Sequence, residues 1–422
     1  MDQASVPQGV FSRLAAAGWL SGLREDYEQI FVKRWSPYLG AILLVVVISA
    51  LMASGLFWGI YGGLKLWGNW FNNFIGLGPL LGINSELQSP LLNRISLMDI
   101  TLVIGAFCAA LLAGQFRINR PPPLEFITGA LGGSLMGIGA SLAGGCTTGG
   151  FFTPLIFASP AGWAMWAGLL GGAFLGLKAL LWVMEHITWG TAAAGAVSVA
   201  PLKRFYPLFG LAVLLLIAWW ATHWFSSDNQ QLASRGIIII AGFALGFILH
   251  RSRFCFARVF REPFMTGEGT MTKAMILALA LGIPVSSLLL QQETLDPYLA
   301  IPATFWLGSV VGGVVFGIGM VFAGGCASGS LWRMGEGHLK LWVAVFFFAW
   351  IGSVFSAIVK RWDLLTREMS LDLVEVSKVG KQVFLPDVLP GWGWTYLLSF
   401  AILGVWYLLV RYNESTNKFT VL

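Results

Sequence analysis

Long apolar runs separated by short polar segments recur from Leu39 to Val410, and several are long enough to cross a bilayer, since about 20 residues of helix span the hydrocarbon core. The pattern predicts helices over 39–67, 99–116, 126–146, 160–184, 206–226, 235–250, 271–290, 304–325, 340–360 and 394–411. Ten crossings return both termini to one side. Two runs end alike, in Gly144-Gly145-Cys146-Thr147-Thr148-Gly149 and in Gly324-Gly325-Cys326-Ala327-Ser328-Gly329. A shorter apolar stretch follows each, Phe151 to Phe157 in one case and Leu331 to Met334 in the other. Glycine frees the backbone, and backbone freed inside a membrane needs protein or a water-filled cavity to satisfy its polar groups. These segments read as broken helices lining a path.

The two regions superpose with an offset of 180 residues, which pairs Gly132-Gly133 with Gly312-Gly313, Gly137-Ile138-Gly139 with Gly317-Ile318-Gly319, and Ala143 with Ala323. Duplication of an apolar, glycine-interrupted segment is the sequence sign of a transporter with a site at a repeat interface. In the predicted topology the helix ending at Cys146 runs outward and the one ending at Cys326 runs inward. The repeats are therefore expected to be inverted.

Composition makes the class explicit. Of 422 residues, 57% are hydrophobic and 11% charged, with a mean hydropathy of +0.75. The fold class is an all-α polytopic membrane protein with nine to ten transmembrane helices and short re-entrant helices. The net charge of +6 does not indicate nucleic acid, because the basic residues fall in short segments between apolar runs. Arg117, Arg120, Lys203, Arg204, Arg333 and Lys340 all lie on one side of the predicted topology, which the positive-inside rule makes cytoplasmic. Before the first apolar run come Arg13, Arg24, Glu25, Asp26, Glu28, Lys33 and Arg34, too long a polar lead for a signal peptide. Five segments are expected: a cytoplasmic 1–38; a first helix and external amphipathic connection, 39–98; a half carrying Cys146, 99–205; a half carrying Cys255 and Cys326, 206–360; and an external loop, last helix and tail, 361–422.

The four cysteines form no Cys-x-x-Cys pair and share no ligand spacing with His186, His223, His250 or His338, so neither a metal nor another cofactor is expected. What the path offers is hydrogen-bond donors. A helix starting just after a break points free N–H groups and the positive end of its dipole at the gap, which favours an anion. Thr147, Thr148 and Ser328 add hydroxyls, and the thiols add weak S–H donors, without burying a formal charge. A further segment, Arg251-Ser252-Arg253-Phe254-Cys255-Phe256-Ala257-Arg258-Val259-Phe260-Arg261, surrounds a cysteine with Arg251, Arg253, Arg258 and Arg261 and reads as an electropositive mouth. Plainer roles compete. Cysteine also behaves as a small hydrophobe, small-x-x-x-small glycines pack helices, and the arginines serve as topology signals. Cys108, mid-helix without polar neighbours, is expected to be structural, and no Asp or Glu stands out as an ion site.

Three segments carry a resemblance to a known family: RSRFCFARVFRE at 251–262, GGVVFGIGMVFAGGCASGSLWRMGEGH at 312–338 and GGSLMGIGASLAGGC at 132–146. Over about residues 99–345 the chain resembles the YeeE/YedE family of bacterial sulfur-compound transport proteins. The resemblance implies an hourglass-like helical fold in the bacterial inner membrane. It also implies uptake of a small sulfur anion such as thiosulfate, handed along three cysteines that match Cys146, Cys326 and Cys255, and a TusA-like sulfur carrier on the cytoplasmic side. In the shorter thiosulfate members the Arg-x-x-Phe-Cys half comes first, whereas here it comes second, as in the longer YedE-like branch, which is associated with selenium metabolism. A selenium or other sulfur species is therefore an alternative substrate. A membrane enzyme that forms a persulfide on Cys255 is an alternative of another class.

Overall fold

Ser36 starts the first long apolar helix by accepting a hydrogen bond from the Leu39 amide, with Pro37 in the first turn, where a missing N–H costs nothing. In the computed structural model, which describes residues 18–187, 195–197, 200–292, 295–362, 364, 368–369 and 375–421, α1 (Gly18–Tyr27) precedes this helix, α2 (Pro37–Ala53). The first 17 residues of the expected N-terminal segment, Arg13 among them, and most of 363–374 lie outside the described residues. The apolar run expected as one helix over 39–67 is two. α2 ends before Gly55, whose φ of 72° suits a residue without a Cβ, and the chain turns back into the bundle as α3 (Tyr61–Phe74), followed by α4 (Gly78–Leu81). α3 was expected to continue into an external connection. Instead its polar stripe is used inside: Asn72 donates to Ser353 Oγ at 2.9 Å and accepts from Trp350 Nε1 at 3.1 Å, and Ser353 donates to Asn69 at 2.6 Å.

Beyond Asn93, whose carboxamide caps two amides, come α5 (Arg94–Leu112), α6 (Pro123–Leu142), a wide turn Thr147–Phe152, α7 (Thr153–Ile156), α8 (Pro160–His186) and α9 (Tyr206–Phe225). The second half holds α10 (Gln230–Ser252), α11 (Phe256–Met265), α12 (Thr270–Gln291), α13 (Leu307–Ala323), α14 (Ala327–Glu336) and α15 (Leu339–Arg361), and α16 (Leu385–Val388) and α17 (Trp392–Thr416) close the chain. Among the described residues nine helical segments are long and apolar enough to span a membrane, or ten with the bent α1–α2 pair. The protein is an all-α polytopic membrane protein. Short ribbons, 118–120 with 195–197 and 375–377 with 380–381, edge the bundle.

Packing shows the duplication directly. α6 lies against α13, α6 against α15 and α13 against α8, while α5 contacts α10 and α12 contacts α2. Exchanging α2, α3, α5, α6, α7 and α8 for α10, α11, α12, α13, α14 and α15 returns the main pairs of neighbours. α2 and α3, expected as a separate leading segment, thus pack as counterparts of α10 and α11. At the central crossing, a Cβ on Gly132 would lie 2.3 Å from the Ala323 nitrogen, and one on Gly139 would lie 2.5 Å from the Phe316 nitrogen. Residue numbers rise on α6 as they fall on α13, so the two helices are antiparallel and their breaks open toward opposite ends, as inverted repeats require. Gly139→Ala is expected to destabilise the protein by about 1–3 kcal/mol through overpacking. Gly171→Ala, where a Cβ would meet nothing within 4 Å, should leave the melting temperature in detergent unchanged. Equal melting temperatures for the two variants would contradict a tight crossing.

Candidate functional site

The same local construction appears at three places. α6 stops at Gly144 (φ 71°), α13 at Gly324 (φ 82°) and α10 at Arg253 (φ 54°), each left-handed. Two residues later the chain is extended at a cysteine: Cys146 (ψ −168°), Cys326 (ψ −176°) and Cys255 (ψ 120°). Each cysteine then caps the N-terminus of a short helical segment. The Cys146 carbonyl accepts from Gly150 N at 2.7 Å, that of Cys326 from Ser330 N at 2.8 Å and that of Cys255 from Val259 N at 3.3 Å. Cys326 Sγ also accepts from the Gly329 amide at 3.3 Å. Three half-helices thus carry a thiol at the positive end of the peptide dipoles.

These tips gather in the centre. α14 abuts both α11 and the Thr147–Phe152 turn, and all three thiols are fully buried. The sulfurs of Cys255 and Cys326 are neighbours. They converge on Gly329, where a Cβ would lie 2.7 Å from one and 3.2 Å from the other. Hydroxyls stand beside two of the thiols: Thr148 Oγ1 is 2.9 Å from Cys146 Sγ and Ser328 Oγ is 3.4 Å from Cys326 Sγ. Nearby, Thr147 Oγ1, Ser330 Oγ and the indole N–H groups of Trp58 and Trp332 are buried without a partner among the described residues. Each of these groups can donate, and a buried donor left unpaired is costly unless a ligand completes it. Phe151, Phe152, Phe256 and Trp58 form an edge-to-face aromatic wall, with ring centroids 5.8 to 6.5 Å apart.

A cavity leads toward each cassette. One, of about 360 Å³, reaches Gly144 and Gly145 and is lined by Tyr61, Ser141, Lys65 and Lys360. The other, of about 480 Å³, reaches Gly324 and is lined by Arg120, Arg261, Arg333, His338 and Lys340, with Glu125 opposing them. Cationic groups in a concave, low-dielectric setting concentrate anions. Antiparallel α6 and α13 place the two cavities at opposite ends of the central helix pair.

The expected arginine mouth around Cys255 is redistributed. Arg261 alone of the four lines the second cavity. Arg251 is buried and donates to the Lys33 carbonyl, tying down the segment before α2. Arg258 pairs with Glu262 one turn along α11. Arg253 reaches the Glu336 carboxylate at 2.7 Å and Gln115 Oε1 at 2.8 Å, with His250 at 3.6 Å and His338 at 3.4 Å on the same carboxylate. Contiguity in sequence concealed this, because the left-handed turn at Arg253 sends neighbouring side chains in different directions. Gly145 lines the first cavity, whereas a Cβ on Gly325 would face Ser330 Oγ at 3.1 Å. Cys108 donates to the Gly210 carbonyl at 3.2 Å and lines neither cavity. Lys65, Lys360, Tyr61 and Ser141 line the first cavity and were not singled out from the sequence, where lysines near helix ends carry no signal of their own.

Comparison with known proteins agrees with this architecture. A family model described as sulphur transport matches residues 14–175 and 251–421. The chain is similar to the probable transporter YedE of Escherichia coli (strain K12), 27% identical over 390 residues that cover 88% of this chain and 92% of that protein. With the probable transporter YedE of Salmonella typhimurium (strain LT2) identity is 26% over 341 residues, 76% of this chain and 79% of the relative. A shorter stretch of 108 residues, 26% of this chain and 30% of the relative, is 41% identical to the thiosulfate transporter TsuA of Escherichia coli (strain K12). Doubled cassette, broken helices and a match over most of its length together show that the chain belongs to the sulphur-transport family.

Proposed function

We propose that this protein takes up thiosulfate across the bacterial inner membrane, passing it from the Lys65/Lys360 cavity to Cys146, then to Cys326 and Cys255, and out through the Arg261/Arg333 cavity. The observation that carries the reading is the threefold placement of a thiol at a half-helix tip between two basic cavities. Helix tips, thiols and hydroxyls stabilise an anion by hydrogen bonds without a fixed counter-charge that would trap it. Thiosulfate offers these donors a soft terminal sulfur as well as oxygens. The relatives named thiosulfate transporters support the choice of ion. The concentration of Arg120, Arg261, Arg333 and Lys340 around the second cavity supports a cytoplasmic exit, cytoplasmic termini and a TusA-like carrier protein as recipient. The persulfide reading finds less support, since Cys255 is fully buried against Cys326 and out of reach of a docked protein.

Purified protein in proteoliposomes is expected to accumulate radiolabelled thiosulfate in a saturable manner. Unlabelled thiosulfate should compete, and sulfate, which lacks the terminal sulfur, should not. Selenite competing better than thiosulfate itself would move the assignment to a selenium anion.

A further inference from the structure

Asp99 lies on α5 one turn inward from Ile95, which lines the first cavity. It is fully buried, and neither carboxyl oxygen has a hydrogen-bond partner among the described residues. Its space is made by α3, where a Cβ on Gly63 would stand 2.2 Å from Asp99 Oδ2. The adjoining wall of that cavity is built by Tyr61, whose hydroxyl meets Ser141 at 2.5 Å, and by Gly145, the residue before Cys146. The carboxyl therefore stands one turn from the wall of the cavity that leads to the first thiol of the path.

The other ionisable groups on elements packed against α5 are directed elsewhere: Glu28 pairs with Arg24, His223 on α9 stacks on Trp219, Arg251 on α10 donates to the Lys33 carbonyl, and Arg333 on α14 donates to the Gly324 carbonyl at 2.8 Å. Lys65 on α3 points over the Tyr61 ring, Arg235 on α10 donates to the Leu92 carbonyl at 2.8 Å, and His250 and Glu336 belong to the Arg253 network at the opposite end. An ionised carboxylate so placed has lost its hydration without gaining a partner, a state that proteins avoid by neutralising the group. An ionised Asp99 would also repel an anion entering through the first cavity. As a neutral acid it removes that repulsion and gains an O–H to donate to an anion oxygen.

We propose that Asp99 is a proton-binding site behind the wall of the first cavity, and that the anion enters the path toward Cys146 together with a proton held there. The proposal rests on passage of the anion past Cys146, and supplies the coupling that the thiols alone do not. Two measurements on the full chain test it separately from the transport reading. In infrared spectra without substrate, the wild type at neutral pH should show the carbonyl stretch of a protonated carboxylic acid, and Asp99→Asn should lose it; an unchanged band, or none in the wild type, overturns the assignment. In proteoliposomes, an inward proton gradient should stimulate thiosulfate uptake several-fold in the wild type and in Asp99→Glu, and should give no stimulation in Asp99→Asn. Stimulation that survives in Asp99→Asn, or that follows a sodium gradient instead, overturns proton coupling. Absence of any wild-type uptake refutes the transport reading, and the infrared band then still decides the state of Asp99.

Discussion

Cells that rely on this protein for thiosulfate as sole sulfur source are expected to stop growing when Cys146, Cys255 or Cys326 is replaced by alanine, and to grow normally with Cys108→Ala. Each of the three thiols caps a different half-helix, so none can stand in for another. A hydrogen bond to a charged group contributes about 1.5–3 kcal/mol. Removing one raises the barrier at that station by a comparable amount, a tenfold to roughly hundredfold loss of flux. Losses at successive stations limit the whole path, because an anion must pass each in turn. Serine keeps a donor but has a shorter reach, so single serine variants should retain more uptake than alanine. Cys108 supplies the control, since it is equally buried but bonded to the Gly210 carbonyl away from both cavities. Radiolabelled uptake at matched membrane expression is the measurement, and normal growth of the triple alanine variant would remove the relay altogether.

Glu336→Ala is expected to destabilise the protein by about 3–5 kcal/mol, the cost of leaving a buried charge without its partner. The carboxylate holds Arg253, His250 and His338 at once, and through them joins α10 to α14 across the gap where Cys255 meets Cys326. Arg253 is itself the left-handed residue that ends α10. Its release therefore loosens the break that aims Cys255, and thiosulfate uptake should fall along with stability. Glu336→Gln, which keeps an acceptor for Arg253, should recover part of the loss. The exposed Arg24–Glu28 pair offers the contrast: Glu28→Ala should change stability by no more than about 1 kcal/mol. Thermal melts in detergent compare the three, and a Glu336→Ala variant as stable as the parent would contradict the interlock.

The cassette cysteines were legible because each is announced locally, by glycines that permit a left-handed helix end within an apolar run. Cys255 was singled out by the arginines around it and then by resemblance, but the mouth read from those arginines misled, because charge counted along a sequence says nothing of which way each side chain leaves a turn. The break at Gly55 was missed for a related reason. Apolar residues continue from α2 through Phe57 and Trp58 into α3, so the run length suggested one long helix where the chain doubles back.

By itself the sequence determined the membrane class, the duplicated halves and the inverted direction of the two cassettes, and it selected the three cysteines proposed as stations. Run length, glycine position and repeat offset are properties of neighbouring residues. Tertiary structure alone decided that Cys255 and Cys326 meet over Gly329, that Lys65 and Lys360 share one cavity, that Glu336 gathers Arg253 with two histidines, and that Gly63 leaves room for an unpartnered Asp99 behind the first cavity. Apart from Glu336 with His338, those pairings join residues tens to hundreds of positions apart, and they arise only when helices approach closely enough for a missing Cβ to matter.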